Sequence, residues 1–423
     1  MRLPRDFRKR TLEERRGVLS SAAALSDEEQ LATSAHPDVL ERADVMIECA
    51  VGVFPVPLGI AAGFMIDGDA VDIPMATEEP SVIAAASLAG RITARCGGFQ
   101  TSAFEPVMTV QIFLQNTRDD AEQILRRLSD EIGRRTDDIA ASLAARGGGF
   151  VCMRVSRLIQ TRLTKVEIDI DVRDAMGANK VNSVGEGISG YLEHHTGGRK
   201  LMSIVTNAAR SSPVEAAVAI PVELLSRAGM SGAEVADRIS LASTVAFEDP
   251  ERAITNNKGI MNGISALVLA TGNDTRGVEA AAHGYAARDG AYRSLSRFSR
   301  DGNLLSGLLA TPVPVGTVGG AIDLYPASRY SLQILGNPGS RRLAQIAVAL
   351  GLAQNLAALR ALVTEGIQHG HMRLHARRLA FAAGARGAEI DRVVTRMAST
   401  VDAASARRCL VDIRGDHSPA DPS

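Results

Sequence analysis

Apolar positions recur along the chain with the spacing of strands in some stretches and of helices in others. The clearest stretch is Thr164–Val172, where Val166, Ile168, Ile170 and Val172 fall on one side and Glu167, Asp169 and Asp171 on the other. Period two predicts a strand buried on one face. Val107–Leu114 and Phe150–Ile159 also read as strands, and Asp120–Arg146 as a long charged helix stopped by Gly147-Gly148-Gly149. A turn at Asp174–Asn179 leads into a helix running to about His195, followed by the strand Leu201–Thr206. The order is βαββαβ, the split arrangement of a ferredoxin-like unit. Parts of one larger domain lie on both sides, so the unit reads as inserted.

Upstream, Thr11–Ser26 and Pro37–Val51 have helical patterns, and Leu58–Pro74 is extended with a turn at Asp67-Gly68. Pro80 and Ser81, with Glu78 and Glu79 beside them, supply helix-start chemistry for VIAAASLAGRI. Downstream of Val214 the pattern predicts mainly helices: Gly232–Phe247, Asn257–Thr271, Val278–Ala287 and Arg342–Ile367. Asp301-Gly302 marks a hairpin between Arg297 and Leu308. The fold class expected is α+β. No period of 20–50 residues indicates a repeat array.

Composition narrows this picture. The chain has 423 residues, 45% of them apolar, with 39 glycines, no tryptophan and a formal charge of −1. Such a balance gives no general electrostatic pull toward nucleic acid or an anionic membrane. Cys49, Cys96, Cys152 and Cys409 form no CxxC pair and no disulfide framework. The charged start MRLPRDFRKRTLEERR has no apolar signal core. The longest apolar stretches, near Val56–Ile66 and Ala344–Ala353, are too short to span a bilayer. A soluble cytoplasmic protein is the expectation, with no nucleic-acid or membrane partner.

Several segments carry candidate chemistry. The triple glycine and the DAMGAN turn let backbone N–H groups approach an anion, and equally well serve as a helix stop and a helix cap. Neither is a GxGxxG fingerprint. Lys258 stands among small residues with Asn257, Asn262 and Asp274 nearby, and reads either as a snorkelling surface lysine or as a fixed positive charge in a pocket. His371 and His375 have i,i+4 spacing, but no HExxH and no third ligand accompany them, so no metal is expected. A general acid or a structural histidine suits His369, His371 or His375 better.

Read in order, EEPSVIAAAS, DVRDAMGANKVN, NKGIMNGI, ATGND, PVPVGTVGGA and GLAQNLAALRALVTEGIQHGHMRLHAR closely resemble 3-hydroxy-3-methylglutaryl-coenzyme A (HMG-CoA) reductase in its soluble, class II form from bacteria and archaea. The likeness runs from about Glu41 to Gly387. It implies interconversion of HMG-CoA with mevalonate and coenzyme A, using two nicotinamide hydrides from NAD(P)H. The matched positions imply that Lys258 stabilises the thioester oxyanion as a buried cation and that Glu79, its pKa raised by burial, delivers a proton to the aldehyde. They imply further that Asp274 links those two and that His371 protonates the coenzyme A thiolate. Arg252 would pair with the substrate's free carboxylate, with Ser81, Asn262 and Gln354 beside it. Asp174, Met176, Gly177 and Asn179, together with Asn207, would meet the cofactor.

The resemblance also implies domains: a discontinuous substrate domain (1–104 and 210–370), a cofactor domain (105–209) and a carboxyl-terminal flap (371–423). A homodimer with a shared active site is expected, assembled as a trimer of dimers. The chain departs from the family at Cys49, at Asn256 and at Asp323. NAD-preferring relatives carry an aspartate where a gap-free alignment places Ala140. Asp137 and Asp138 precede it and Arg134 and Arg135 are close, so NAD and NADP both stay open, with a lean to NAD. Two other readings stand beside this one: a binding or scaffold protein that kept the fold without activity, and a dehydrogenase for another acyl-coenzyme A. Retention of Glu79, Lys258, Asp274 and His371 argues against the first.

Overall fold

A computed structural model of the chain describes residues 6–23, 35–320, 322–366, 376–397 and 401–415. Residues up to Pro57 form a compact unit of their own, and Leu58 onward a second. In the first, the helices Leu12–Ala23 and Pro37–Met46 are joined by an ion pair of Arg15 with Asp44. Arg16 donates to Val51 O at 3.1 Å.

The second unit opens with an antiparallel hairpin, β1 (Leu58–Ile66) and β2 (Asp69–Ala76). Its turn residues Asp67 and Gly68 have φ of 53° and 89°, the left-handed pair that matches strand twist and that Asp-Gly tolerates. The helix Val82–Ala94 packs back on β1, where Gly90 leaves room for the Phe64 ring. A four-stranded antiparallel sheet follows, in the order β3 (Gln100–Ala103), β8 (Pro213–Pro221), β10 (Leu304–Pro312), β9 (Ser296–Asp301). The expected hairpin at Asp301-Gly302 joins β9 to β10.

Strand β8 was not anticipated. PVEAAVAIP buries Val214, Ala216, Val218 and Ile220 with period two, but its alanines favour helix when read alone. Pairing with β3 and β10 on both edges decides the matter. The helix Ser340–Val363 lies against this sheet and the Val82–Ala94 and Pro250–Ala270 helices. Its 24 residues are long and apolar enough to cross a membrane, yet 78% of its most apolar window is buried inside the protein, as in a core helix.

The other four strands form a second antiparallel sheet, β4 (Val107–Gln115), β5 (Gly149–Arg157), β6 (Thr164–Asp171) and β7 (Arg199–Thr206), ordered β5-β6-β4-β7. Helices connect β4 to β5 and, through Ala178–Thr196, β6 to β7. Its apolar core, from Met108 to Leu192, is separate from that of the larger sheet. The expected continuous helix over 120–146 is instead three pieces, Ala121–Arg127, Ser129–Ile139 and Ala141–Ala144, broken at Leu128 and Ala140. A straight helix of that length would run about 40 Å, beyond the end of strands about 30 Å long. The breaks keep Leu125, Ile132 and Leu143 on the sheet, each fully buried.

The polar side of β6 also differs from expectation. Asp169 and Asp171 are buried, at 2% and 8% exposure: Thr109 and Arg154 from the neighbouring strands meet Asp169, and Arg173 just after β6 meets Asp171. Further on, Ala376, Ala380, Val393, Ala406, Leu410 and Ile413 close a third small apolar cluster. All four cysteines are free.

Candidate active site

The helix carrying Lys258 starts earlier than the sequence pattern suggests. Asp249 caps it, accepting from Glu251 N at 2.9 Å, and Pro250 occupies the first turn, so the helix spans Pro250–Ala270. Lys258 therefore lies two turns inside it, with Asn262 four residues on and hence on the same face. Lys258 is exposed, as is Glu79. The burial expected around both groups is not supplied by these parts of the chain.

Behind the lysine the helix is held by a closed amide network. Asn256 donates to Ser294 Oγ at 2.8 Å and accepts from Asn355 Nδ2 at 2.9 Å, while Ser296 Oγ donates to Asn355 Oδ1 at 2.8 Å. Asn257 donates to Arg293 O and accepts from Leu295 N, both at 2.9 Å. The departure at Asn256 thus sits in a fully bonded interior position, facing away from the lysine side.

Where the Pro250–Ala270 and Ser340–Val363 helices touch, a Cβ on Gly263 would lie 3.2 Å from Gln354 Cβ. Two of the residues expected at the site keep unpartnered buried atoms: Arg252 Nη1 and Gln354 Oε1. A buried donor and a buried acceptor without partners cost about 1–3 kcal/mol each unless something else satisfies them. Other such atoms among the described residues are Arg15 Nε, Thr136 Oγ1 and Ser203 Oγ.

Glu79 lies in the loop after β2, and β2 packs on the lysine helix. Ser81 does not cap the next helix, contrary to expectation. Its φ is 76°, its side chain makes no cap hydrogen bond, and the helix begins at Val82. A left-handed serine costs about 1–3 kcal/mol and marks a segment held in place by its surroundings. Asp274 caps the helix Thr275–Ala286 by accepting from Arg276 N at 3.1 Å. A methyl on Gly277 would lie 3.0 Å from Asp274 Oδ2 and 3.6 Å from Asn207 Oδ1. The fold thus brings Asn207, at the end of the small sheet, to Asp274 beside the lysine helix.

The DAMGAN loop ends at Gly177, φ 80°, the N-cap of Ala178–Thr196, with no side-chain cap bond. Its first helical N–H groups stay available to an anion, as a dinucleotide phosphate requires. Met176 and Gly177 are half-buried and Asn179 is exposed. Asp174 has a job that sequence reasoning did not assign: its Oδ1 accepts from Ser340 N at 2.7 Å, capping the long core helix. Of the groups near the expected ribose position, Ala140 is buried and Asp137 accepts from Phe150 N at 2.7 Å. Arg134 and Arg135 both pair with Glu131, at 2.8 and 2.9 Å, and Asp138 is exposed. His369, His371 and His375 lie outside the described residues.

Comparison with known proteins gives the family. The family model for hydroxymethylglutaryl-coenzyme A reductase matches residues 11–376. A 3-hydroxy-3-methylglutaryl-coenzyme A reductase of Archaeoglobus fulgidus is 46% identical over 92% of this chain and 89% of its own length. A probable enzyme of the same name from Borreliella burgdorferi is 34% identical, covering 90% of this chain and 87% of its own. Among solved structures, the class II 3-hydroxy-3-methylglutaryl-CoA reductase from Streptococcus pneumoniae, bound to NADPH in open conformations, superposes with a TM-score of 0.76. It is 39% identical and covers 96% of this chain and 100% of that one. On the match over residues 11–376, the ordered motifs and the class II structural likeness, this chain belongs to the hydroxymethylglutaryl-coenzyme A reductase family.

Proposed function

We propose that the chain catalyses the reaction of its family: HMG-CoA, two NAD(P)H and two protons give mevalonate, coenzyme A and two NAD(P)+. The observation that carries this is that two buried polar atoms have no partner, Arg252 Nη1 on the helix that carries Lys258 and Asn262, and Gln354 Oε1 on the helix packed against it. A carboxylate satisfies the arginine donor. A hydroxyl satisfies the glutamine acceptor. The hydroxymethylglutaryl group contains both.

The nicotinamide, when bound, supplies hydride. The chain's own residues do the rest. Lys258 donates a hydrogen bond to the carbonyl oxygen as negative charge builds there, and this outweighs any interaction made equally well in the ground state. Glu79 delivers the proton to the aldehyde oxygen in the second reduction. Asp274 holds charge opposite the lysine, and His371 gives a proton to the departing thiolate. Ser81 and Asn262 orient the substrate. Asp174, Met176, Gly177, Asn179 and Asn207 form the dinucleotide side, which fits the uncapped helix start at Gly177. The sheet order β5-β6-β4-β7 supports reading 105–209 as a ferredoxin-like cofactor domain inserted in the substrate domain; the flap over 371–423 rests on the family resemblance.

Exposure of Lys258 and Glu79 supports a site that a second copy and the flap close, since a dry site strengthens such interactions. Light scattering that returns only monomer would defeat that part. NAD and NADP are both carried forward: burial of Ala140 and engagement of Asp137 leave Asp138 as the exposed acid. The direct test is turnover of purified protein in both directions with each dinucleotide. Protein that bound both ligands yet turned over neither would remove the enzymatic reading.

A further inference from the structure

Asn273 precedes Asp274 in the turn after the lysine helix, and its side chain does not point to the substrate groups. Its amide makes a two-way bond with the backbone of one residue: Nδ2 donates to Gly316 O at 3.0 Å, and Oδ1 accepts from Gly316 N at 2.7 Å. Nδ2 also reaches Thr271 Oγ1, at 3.1 Å, which fixes the amide's orientation. Gly316 is buried, and it is pressed against the cofactor loop. A Cβ there would overlap Met176 N and lie 2.8 Å from Ala175 C and 3.0 Å from Asp174 O. The next two residues close the link, Thr317 N and Val318 N donating to Asp174 O at 2.8 and 3.2 Å. On its far side Asp174 is held by Ser340, whose N–H donates to Oδ1 while its hydroxyl donates to Arg173 O at 2.8 Å.

We infer that Asn273 is a positioning residue that sets the DAMGAN loop relative to Asp274 through Gly316. The inference rests on the proposed function, because it takes the loop to be the dinucleotide side. Physically, one amide satisfies both the N–H and the C=O of a buried glycine, and no residue with a side chain fits in that glycine's place. The cofactor loop can therefore dock at one distance from the lysine helix and no other. Removing the amide leaves two buried backbone groups unpaired and frees the 314–318 segment to shift, taking Asp174 and Met176 with it.

The test is fluorescence titration of the full-length protein with NADH and NADPH, beside calorimetric titration with coenzyme A and thermal unfolding. Asn273→Ala is expected to weaken dinucleotide binding about tenfold and to leave coenzyme A within about twofold. Gly316→Ala attacks the same link from the loop side without altering Asn273, and should reproduce that selectivity. Asn273→Asp, which keeps the acceptor for Gly316 N and loses the donor to Gly316 O, serves if Asn273→Ala folds poorly. The double variant should bind no worse than the weaker single one, since both break one connection. Unchanged dinucleotide affinity in both single variants, equal weakening of dinucleotide and coenzyme A, or fully additive losses would overturn the inference while leaving the proposed function standing. A wild-type protein that binds neither dinucleotide would instead remove the functional reading, and this inference with it.

Discussion

Two groups of charged and amide side chains lie on well-packed elements, and they differ in whether their hydrogen bonds are closed. On the outer face of the small sheet, Asp169 accepts from Arg154 at 2.5 and 2.9 Å, from Thr109 Oγ1 at 2.6 Å and from Ser211 Oγ at 3.3 Å. Glu167 beside it accepts from Gln111 at 2.8 Å and pairs with Lys165 at 3.0 Å. On the large body, Arg252 Nη1 and Gln354 Oε1 are buried without partners. The Asp169 and Glu167 carboxylates meet their partners within the chain, whereas these two atoms, on residues expected to face the substrate, are left incomplete at a cost in stability. A buried ionic group alone is therefore a poor guide to function here, and an incomplete one a better guide.

The contrast can be broken most severely at Lys258. Lys258→Ala should lower turnover by about 10³-fold, with a thermal midpoint unchanged because the side chain is exposed. Equal loss of stability and activity would place the lysine in the closed group instead. Ending the chain after Gly370 should abolish turnover while circular dichroism still reports a folded core; an undiminished rate would remove the flap from the mechanism. Asp169→Ala is the reverse case, expected to cost about 2 kcal/mol in urea unfolding, discounted because Arg154 is half exposed. Its KM values for both ligands should not move.

Acid probes the same sheet more gently. Burial pushes the Asp169 carboxyl up, but the hydrogen bonds from Arg154 and Thr109 more than reverse this, and the pKa lies below its ordinary 3.8. Its contribution is thus present above that value and lost as pH falls through the lower, folded one. Asp169→Asn should flatten that part of the acid unfolding curve. The smallest effect is expected at Glu389, whose pKa the paired guanidinium of Arg414 and the Arg386 N–H lower to about 2. Glu389→Gln should remove the acid dependence between 4.5 and about 2, with no change in turnover at neutral pH.

Elements with strong local patterning were legible before folding was considered. The alternation in Thr164–Val172, the Asp67-Gly68 turn and the Asp301-Gly302 hairpin each appear where the residues place them. Strand β8 was hidden by its alanines. The interruptions at Leu128 and Ala140 carry no glycine or proline to announce them. At the site, Lys258, Asp274 and the DAMGAN loop stood out because their motifs are long. Asn273, Gly316 and Ser340 did not, since their roles consist of bonds across 43 and 166 positions of chain.

By itself, then, the amino-acid order determined the family and the α+β class and singled out the residues proposed to carry the chemistry, because periodicity and motif spacing are local properties. Only the tertiary structure decided which of those residues are satisfied and which stand open. It buried Asp169 behind Arg154, left Lys258 exposed, and joined Asn273 to the DAMGAN loop through Gly316. Hydrogen-bond completion depends on which distant segments meet, and no local pattern encodes that.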